Sequence, residues 1–307
     1  MKTPFALFVA RRLAAGLAFV LLVSIAAFIL GRLAPGDAAS TLVLSGVDAV
    51  SVADTRTRLG LDRPLLSHLG SWLAGLASFD LGHSSRYNQP VAGLVGTGLL
   101  HTAQLAALAL LVATGLGLPL GVVTGSRPRG WAARLLTPVS AALLACPPIV
   151  ATLALLLVAV RTDGVWLSVE PGHLAVPVLA LALPLSAGLE RLQARATGDA
   201  LSAPSLAAAV ARGIPRRRVI WVHAVRQSLR PVLGVYGIVI GSLFSGSLAV
   251  EVITSWPGIG RLTYDALIAR DLHLLVGCVL AGSVLITVGN VMADLLRAAA
   301  DPRVRDT

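Results

Sequence analysis

The chain alternates long apolar runs with short polar segments that are rich in arginine. Six runs approach or exceed the length of about 20 apolar residues that a helix needs to cross a bilayer. They are residues 13–30, 89–126 (densest over 102–124), 135–160, 171–189, 231–250 and 272–293. Backbone groups in lipid must be paired internally, and the runs show no barrel-like alternation. The pattern therefore predicts an all-α polytopic membrane protein with six transmembrane helices.

Composition supports this class. Hydrophobic residues make up 56% and charged residues 13%, and the mean hydropathy is +0.82, whereas soluble domains carry about 25% charged residues. A water-soluble enzyme is excluded, and two cysteines provide no disulfide framework. Lys2, Arg11 and Arg12 precede the first run as they would a signal peptide. That run is longer than a usual signal core and five more follow, so we predict a retained signal anchor.

The placement of charge predicts the orientation. With the N-terminus inside, 17 of the 25 basic residues fall in cytoplasmic segments, and ten of the 15 acidic residues fall outside or at that boundary. The positive-inside rule then places both termini in the cytoplasm. The net charge of +10 follows from topology, so binding of nucleic acid is not needed to explain it.

This orientation divides the chain into membrane and soluble parts. The expected organisation is a cytoplasmic N-terminus with helix 1 over residues 1–30, an extracytoplasmic segment over 31–98, a five-helix core over 99–297 and a cytoplasmic tail over 298–307. The core includes a cytoplasmic loop, residues 190–230, between helices 4 and 5.

Within this loop the sequence predicts two short helices. Residues 205–212 (SLAAAVAR) form helix readily, Gly213 supplies a C-cap, and Pro215 opens the next helix. A short helix joined to two spans by a sharp turn can transmit movement if a partner grips its exposed face. The alternative is an ordinary basic, helical inside loop.

Motifs along the whole chain resemble the permease subunits of bacterial ABC importers. Residues 209–215 (AVARGIP), followed by Val219, His223, Arg226 and Pro231, are similar to the cytoplasmic loop of the subfamily that imports dipeptides, oligopeptides, nickel or glutathione. Five further motifs occur in the family's order: 33–38 (LAPGDA), 59–65 (LGLDRPL), 79–84 (FDLGHS), 255–261 (SWPGIGR) and 301–305 (DPRVR).

The resemblance implies a function and a set of partners. The chain would be a multi-pass permease of the bacterial cytoplasmic membrane, moving small peptides by alternating access. It would pair with a second permease subunit, two ATPase subunits and an extracytoplasmic solute-binding protein. ATP would be bound by the partner subunits, and this chain would hold no cofactor. The alternatives are a nickel-complex or glutathione importer, or an ion-coupled secondary carrier.

The resemblance also implies a docking site for the ATPase. The expected coupling residues are Ser205, Ala208, Ala209, Ala211, Arg212, Gly213, Ile214, Pro215, His223 and Arg226. Four positions depart from the family pattern. Pro204 and Ser205 replace an acidic-aromatic pair, Val210 replaces an arginine, and Gln227 replaces an asparagine. These departures predict a contact that is more apolar than usual.

The residues give little support to chemistry within the chain. The only lysine is Lys2, so a phosphate-binding GxxxxGK[ST] loop is excluded. Ser245, Ser247 and His273 show no readable oxyanion arrangement, and the histidines and cysteines lack the spacing of a metal site. No carboxylate lies in mid-span, since Glu190 and Glu251 sit at run ends. We therefore expect a non-enzymatic chain without a buried carboxylate for ion coupling.

Two further groups of residues are candidates for the translocation path and its gate. Gly237, Gly241 and Ser245 share one face of the fifth run and would either line a path or allow close helix packing. Trp256, Pro257 and Gly258 form an outer turn. In the family that the chain resembles, this region lies near the outer gate and the docked solute-binding protein, so the three residues are candidates for that gate. The alternative is that Trp256 anchors the chain at the membrane interface.

Overall fold

A computed structural model describes residues 3–34, 36, 56–57, 62–162 and 173–300. Over these residues the chain is helical and contains no strand, apart from an isolated bridge between His83 and Pro90. Positions 35 and 37–38 of the first motif, positions 59–61 of the second and the whole motif 301–305 lie outside the described residues. The last seven residues of the predicted cytoplasmic tail also lie outside them.

Twelve α-helices and one π-helical segment make up the described part. The helices are α1 Thr3–Leu33, α2 Leu65–Ala77, α3 Val91–Ser126, α4 Trp131–Ala145, α5 Pro148–Arg161, α6 Ala175–Ser202, α7 Pro204–Ala211, α8 Arg216–Arg218, α9 Val225–Leu233, α10 Tyr236–Ile253, α11 Ile259–Ala269 and α12 Leu272–Ala300. The π-helical segment Val219–Ala224 joins α8 to α9.

Five helices in the described part are long and apolar enough to cross a membrane. They are Val9–Leu33, Val91–Ser126, Ala175–Ser202, Tyr236–Ile253 and Leu272–Met292. The pair α4 and α5 brings the number to six if it counts as one broken span. The predicted all-helical architecture is therefore confirmed, with five or six spans.

The third apolar run is not the single helix that its length predicts. α4 and α5 meet at an angle of 108°. Pro147 has an extended backbone, with φ −61° and ψ 148°, and Pro148 begins α5. Proline removes a backbone donor and excludes the helical conformation from the residue before it. From the sequence, the pair Pro147 and Pro148 predicts a bend in this run, because proline leaves backbone carbonyls unpaired. The structure confirms the bend, and the angle of 108° makes it a break.

The fifth span also begins later than predicted. Pro231 lies inside α9, and a turn at Gly234 and Val235 precedes α10, which starts at Tyr236. Gly234 therefore does not share a helix with Gly237. The loop thus remains helical almost up to the span.

The fold divides into two compact units. The first comprises the described parts of Met1–Ala10, Gln104–Thr254 and Val288–Thr307, and the second those of Arg11–Ala103 and Ser255–Thr287. In the second unit, one cluster gathers buried residues of α3, α11 and α12 around Val91, Leu274 and Cys278. Another packs Trp72 of α2 against Phe28 and Val276.

Candidate functional site

Helix α7 ends in a glycine whose backbone lies in the left-handed region. Gly213 has φ +80°, and no atom lies within 4 Å of the place a Cβ would occupy. Its N–H donates to the Val210 carbonyl at 2.9 Å, and the N–H of Ile214 donates to the Ala209 carbonyl at 3.3 Å. These two bonds form a Schellman motif. The predicted glycine C-cap is confirmed, and the glycine is required for its conformation.

One side of α7 packs against apolar side chains of the neighbouring helices. Leu206 and Ala209 pack in a cluster, here the loop cluster, with Ala200 of α6 and with Val219 and Ala224 of the π-helical segment. The opposite side is exposed and carries Ser205, Ala208, Ala211 and Arg212, here the α7 face. Alanine allows close packing on one side and leaves a low, accessible surface on the other.

The other predicted coupling residues differ in exposure. Gly213, Pro215 and Arg226 are exposed, whereas Ile214 and His223 are half-buried. Ala209, predicted among the contact residues, belongs to the loop cluster and is 5% exposed.

Two of the four positions that depart from the family pattern are neighbours. The side-chain amide of Gln227 donates to the Ser205 hydroxyl at 3.5 Å, and both groups are exposed. Val210 is 56% exposed. Next to the α7 face, the departures thus place one apolar side chain and one polar pair.

The loop also presents an uncompensated positive charge. Its exposed arginines are Arg212, Arg216, Arg217, Arg218, Arg226 and Arg230. None of them pairs with a carboxylate in the described part of the chain. A partner with acidic groups could therefore approach this surface without breaking internal ion pairs.

A buried polar contact ties α9 to α6. The Gln193 side-chain amide donates to the hydroxyl of Ser228 at 2.7 Å and to that of Thr197 at 3.0 Å. All three side chains are at most 1% exposed. This contact was not predicted, because only the spacing of Gln193 and Thr197 on one helical face is visible in the sequence.

A stripe of three glycines on α3 provides the contact surface for α6. A Cβ at Gly117 would come 2.7 Å from the Ser186 carbonyl oxygen, and one at Gly121 would come 2.5 Å from that of Glu190. Gly125 meets Ala194 still more closely. This is small-xxx-small packing. Sequence analysis missed this stripe as well, although the spacing 117, 121, 125 was a readable signal.

The expectation that no buried carboxylate exists is wrong. Glu190, Glu251 and Asp271 are at most 3% exposed. The Glu190 carboxylate accepts a hydrogen bond from the Thr124 hydroxyl. Helices continue beyond the apolar runs that predict them, as α6 does to Ser202, so a residue at the end of a run can be buried by neighbouring helices.

The three candidate path residues do not share one environment. Gly237 is buried, Gly241 is half-buried, and Ser245 is exposed. A Cβ at Gly241 would meet nothing within 4 Å. Within its unit, Gly241 is therefore not needed for close packing, and the space beside it is open.

Two of the three candidate gate residues are packed inside the second unit. Trp256 is 5% exposed, and its indole N–H donates to the His101 carbonyl at 3.1 Å. Gly258 is buried, and only Pro257 is exposed. The following residue, Ile259, donates its N–H to the Thr102 hydroxyl at 2.8 Å. A buried indole does not fit the alternative of an interfacial anchor.

The segment 79–90, here the outer strap, is bound to α11 and α12 by a polar network. Asp271 accepts hydrogen bonds from the Ser84 hydroxyl at 2.6 Å and from the backbone N–H groups of Arg86 and Leu274 at 3.1 Å each. It therefore caps α12 as well. The Tyr87 hydroxyl donates to Asp265 at 2.9 Å. Burial and this bond raise the pKa of Tyr87.

The same network explains the residues of the motif 79–84. The N–H of Gly82 donates to the Asp80 carboxylate at 2.9 Å. Gly82 has φ +82°, and a Cβ there would lie 2.7 Å from the His273 ring. Asp80 and Gly82 thus fix the backbone conformation of the outer strap, and Ser84 binds it to Asp271.

Helix α2 carries a buried histidine. The ring centroid of His68 lies 5.1 Å from that of Phe28 and 5.5 Å from that of His273. Burial, and then the nearby His273, Arg32 and Arg63, lower the pKa of His68 to about 4. This histidine is neutral at pH 7. Among the described residues, no group of three or more His, Cys, Asp or Glu is arranged to hold a metal ion.

Known protein families and relatives match most of this sequence. Residues 117–306 match the family described as binding-protein-dependent transport system inner membrane component, and residues 5–97 match the N-terminal region described for the same systems. A Brucella abortus (strain 2308) protein, provisionally named as a peptide transport system permease, is 33% identical over 96% of this chain and 98% of its own length. The oligopeptide transport system permease protein AppB of Bacillus subtilis (strain 168) is 30% identical over 97% and 99%. The glutathione transport system permease protein GsiC of Escherichia coli O6:H1 is 27% identical over 97% and 98%.

Proposed function

The chain belongs to the family of binding-protein-dependent transport system inner membrane components, and on that premise we propose that it is the permease subunit through which an ABC importer moves small peptides. The family makes it a multi-pass, non-enzymatic transport component of the inner membrane. The proposal adds the solute, the orientation, the partners and the coupling site.

The peptide assignment is supported by the names of the relatives. Peptide transport is named for the Brucella and Bacillus relatives, and glutathione, named for the Escherichia coli relative, is a tripeptide. Short peptides are therefore the common chemistry. Glutathione is the second candidate. It is supported by the name of the Escherichia coli relative, whose identity of 27% is lower than that of the Brucella and Bacillus relatives.

The orientation is proposed from the placement of arginine. Both termini and α7–α9 lie in the cytoplasm, and α2, the outer strap and α11 lie outside. The six exposed arginines of the loop are the densest basic group in this arrangement, as the positive-inside rule expects.

The partner subunits supply ATP hydrolysis, delivery of the peptide and the rest of the translocation path. Two ATPase subunits bind and hydrolyse ATP, and an extracytoplasmic binding protein delivers the peptide. A second permease subunit completes the path. Large apolar side chains of α4 and α5 are exposed in the single chain, among them Leu135, Leu144, Leu153 and Leu157. Lipid and the second permease cover such surfaces in the assembly.

The proposed coupling starts at the α7 face. Closure of the ATPase dimer on ATP binding displaces α7, and the loop cluster passes the displacement to α6 and the π-helical segment. The buried Gln193–Ser228 bond carries it between α6 and α9. The bundle then opens outward, and hydrolysis resets it.

The observation that carries this proposal is a small helix packed on one side, glycine-capped, and exposed on the other. The test is reconstitution in vesicles with and without the partner subunits. We expect uptake of a labelled dipeptide only with partners and ATP. Accumulation by this chain alone on an ion gradient would refute the proposal and favour a secondary carrier.

A further inference from the structure

A groove in the second unit is lined by apolar residues of α1, α11 and α12. This groove, here the α1–α12 groove, has a volume of about 480 Å³, and Leu30, Leu267, Leu275 and Val279 are among its lining residues. α1 and α12 pack closely at its base, since a Cβ at Gly31 would lie 2.7 Å from a Leu272 methyl group. Among the described residues that line it, none has an acidic side chain.

Two arginines also line the α1–α12 groove. Arg32 belongs to the last turn of α1, and Arg270 lies between α11 and α12. Arg270 is exposed and has no ion pair in the described part of the chain. Its φ is +53°, in the left-handed region, which is unfavourable for a residue other than glycine or asparagine. This conformation ends α11, because the N–H groups of Arg270 and Asp271 donate to the carbonyls of Leu267 and Ala266.

The membrane spans fix the depth of these groups. α1 ends one residue after Arg32, and α12 begins two residues after Arg270, so both arginines lie at the same boundary of the bilayer. From Leu272 to Val279 the groove follows α12 for about 10 Å at 1.5 Å per residue. Charge at the boundary with an apolar groove below it matches a phosphate head group joined to an acyl chain.

We infer that the α1–α12 groove binds an anionic phospholipid. Its phosphate accepts hydrogen bonds from the guanidinium groups of Arg32 and Arg270, and part of one acyl chain lies along Leu275 and Val279. The proposed orientation places this lipid in the outer leaflet. The binding itself depends only on α1 and α12 being spans.

The charge of the lining residues distinguishes the α1–α12 groove, as a site for an anionic lipid, from a second cavity. A cavity of about 440 Å³ in the first unit also carries two arginines, Arg191 and Arg195. Its lining includes Glu190 and Asp199 as well, so its formal charge is balanced. The described lining of the α1–α12 groove contains two arginines and no carboxylate, which suits an anionic head group.

The test is retention of lipid by the assembled transporter, purified from nanodiscs that contain equal amounts of phosphatidylglycerol and phosphatidylcholine. Native mass spectrometry then counts the lipids that stay bound. We expect preferential retention of phosphatidylglycerol, reduced about fivefold by Arg270→Gln, in line with the contribution of one arginine to anionic-lipid binding. Ala27→Phe fills the groove and has the same effect. Arg161→Gln, at the end of α5, is the matched control and retains the lipid.

Three results would overturn the inference. They are equal retention by Arg270→Gln and Arg161→Gln, equal retention of both lipids, and displacement of the lipid by inorganic phosphate alone. A photoreactive group at Leu267, which is 55% exposed, gives a second measurement in a chain with its arginines intact. Adducts on phospholipid support the inference, and adducts confined to this chain's own residues 37–61 refute it. Neither measurement depends on peptide uptake.

Discussion

The loop of residues 190–230 and the turn of residues 255–261 both carry motifs that resemble the family, but their structures are stabilised in different ways. α7 is held by the apolar loop cluster and a glycine cap, and the polar groups around it stay exposed. The turn at Trp256 and the outer strap are held by hydrogen bonds that are largely buried. The polar groups of the loop therefore remain available to a partner, whereas those of the turn and the outer strap form hydrogen bonds within the second unit.

This difference changes the interpretation of the outer motifs. Ser84 and Trp256 satisfy partners within the second unit, namely Asp271 and the His101 carbonyl. Such residues position the outer surface, and the exposed Pro257 is the candidate for contact. Substitutions should therefore affect coupling in the loop and stability in the outer region.

The largest effect is expected from Gly213→Asp. The change strains the backbone at a residue with φ +80° and places a carboxylate beside the α7 face. Uptake should fall by about tenfold or more, because the new carboxylate would repel the acidic groups of the proposed partner, and juxtaposed like charges at an interface are costly. Membrane insertion should be normal. Gly213→Ala separates strain from charge and should cost only about 1 kcal/mol of loop stability. Normal ATP-driven uptake by Gly213→Asp would contradict the coupling role.

In the outer region, Asp271→Ala should have the largest effect on stability. It leaves the Ser84 hydroxyl and two backbone N–H groups without their acceptor and removes the cap of α12. We expect a loss of about 2–4 kcal/mol, measured as a lower Tm in detergent. Asp265→Ala is the control, because its side chain is 19% exposed and accepts fewer bonds. Equal losses from both variants would count against the buried network.

The glycine stripe predicts a difference between two glycines of α3. Gly121→Ala places a methyl group 2.5 Å from the Glu190 carbonyl oxygen, and the resulting overpacking should cost about 1–3 kcal/mol. Gly115→Ala meets nothing within 4 Å and should be neutral or slightly stabilising. Thermal unfolding compares the two, and equal Tm values would exclude tight packing of α3 on α6.

A smaller loss is expected from Trp256→Phe. The substitution keeps an aromatic ring and removes the hydrogen bond to the His101 carbonyl. Stability should fall by about 1 kcal/mol, while the Michaelis constant for peptide uptake changes little. A large rise in the Michaelis constant with an unchanged Tm would show that Trp256 acts in the outer gate.

The mildest effect is a pH dependence at His68. Its pKa is about 4 in the folded chain and about 6.5 when unfolded. The unfolded state therefore binds more protons between these values, so stability is complete above about pH 6.5 and falls as the pH drops toward 4. His68→Phe should weaken this dependence of Tm on pH. A dependence as steep as in the wild-type chain would show that other groups cause it.

Local signals in the sequence predicted much of the fold. The apolar runs, the proline pair at Pro147 and the glycine at Gly213 act within a few residues, so the spans, the break and the cap could be inferred. Contacts between distant positions could not. Gln193 and Ser228 are 35 residues apart, and Ser84 and Asp271 are 187 apart. Nothing in the local pattern of hydrophobicity encodes such pairings.

The candidate site was predictable to a similar extent. Its helix and cap followed from alanine, glycine and proline, whereas the exposure of each residue depended on the loop cluster. Ala208 and Ala209 are adjacent and identical in type, yet only Ala208 is exposed. The packing of α6 and the π-helical segment decides which face remains available to a partner.

We propose that the α7 face is cytoplasmic and that an ATPase subunit binds it. The most direct test is cysteine labelling of the assembled transporter at Ala208→Cys, with Ala209→Cys as the buried control and with Cys146 and Cys278 replaced by serine. An impermeant maleimide should react with Ala208→Cys only from the cytoplasmic side. The ATPase subunits should protect this position, and a bifunctional reagent should cross-link it to them. Labelling from the outer side, or labelling that the ATPase subunits do not change, would contradict the account.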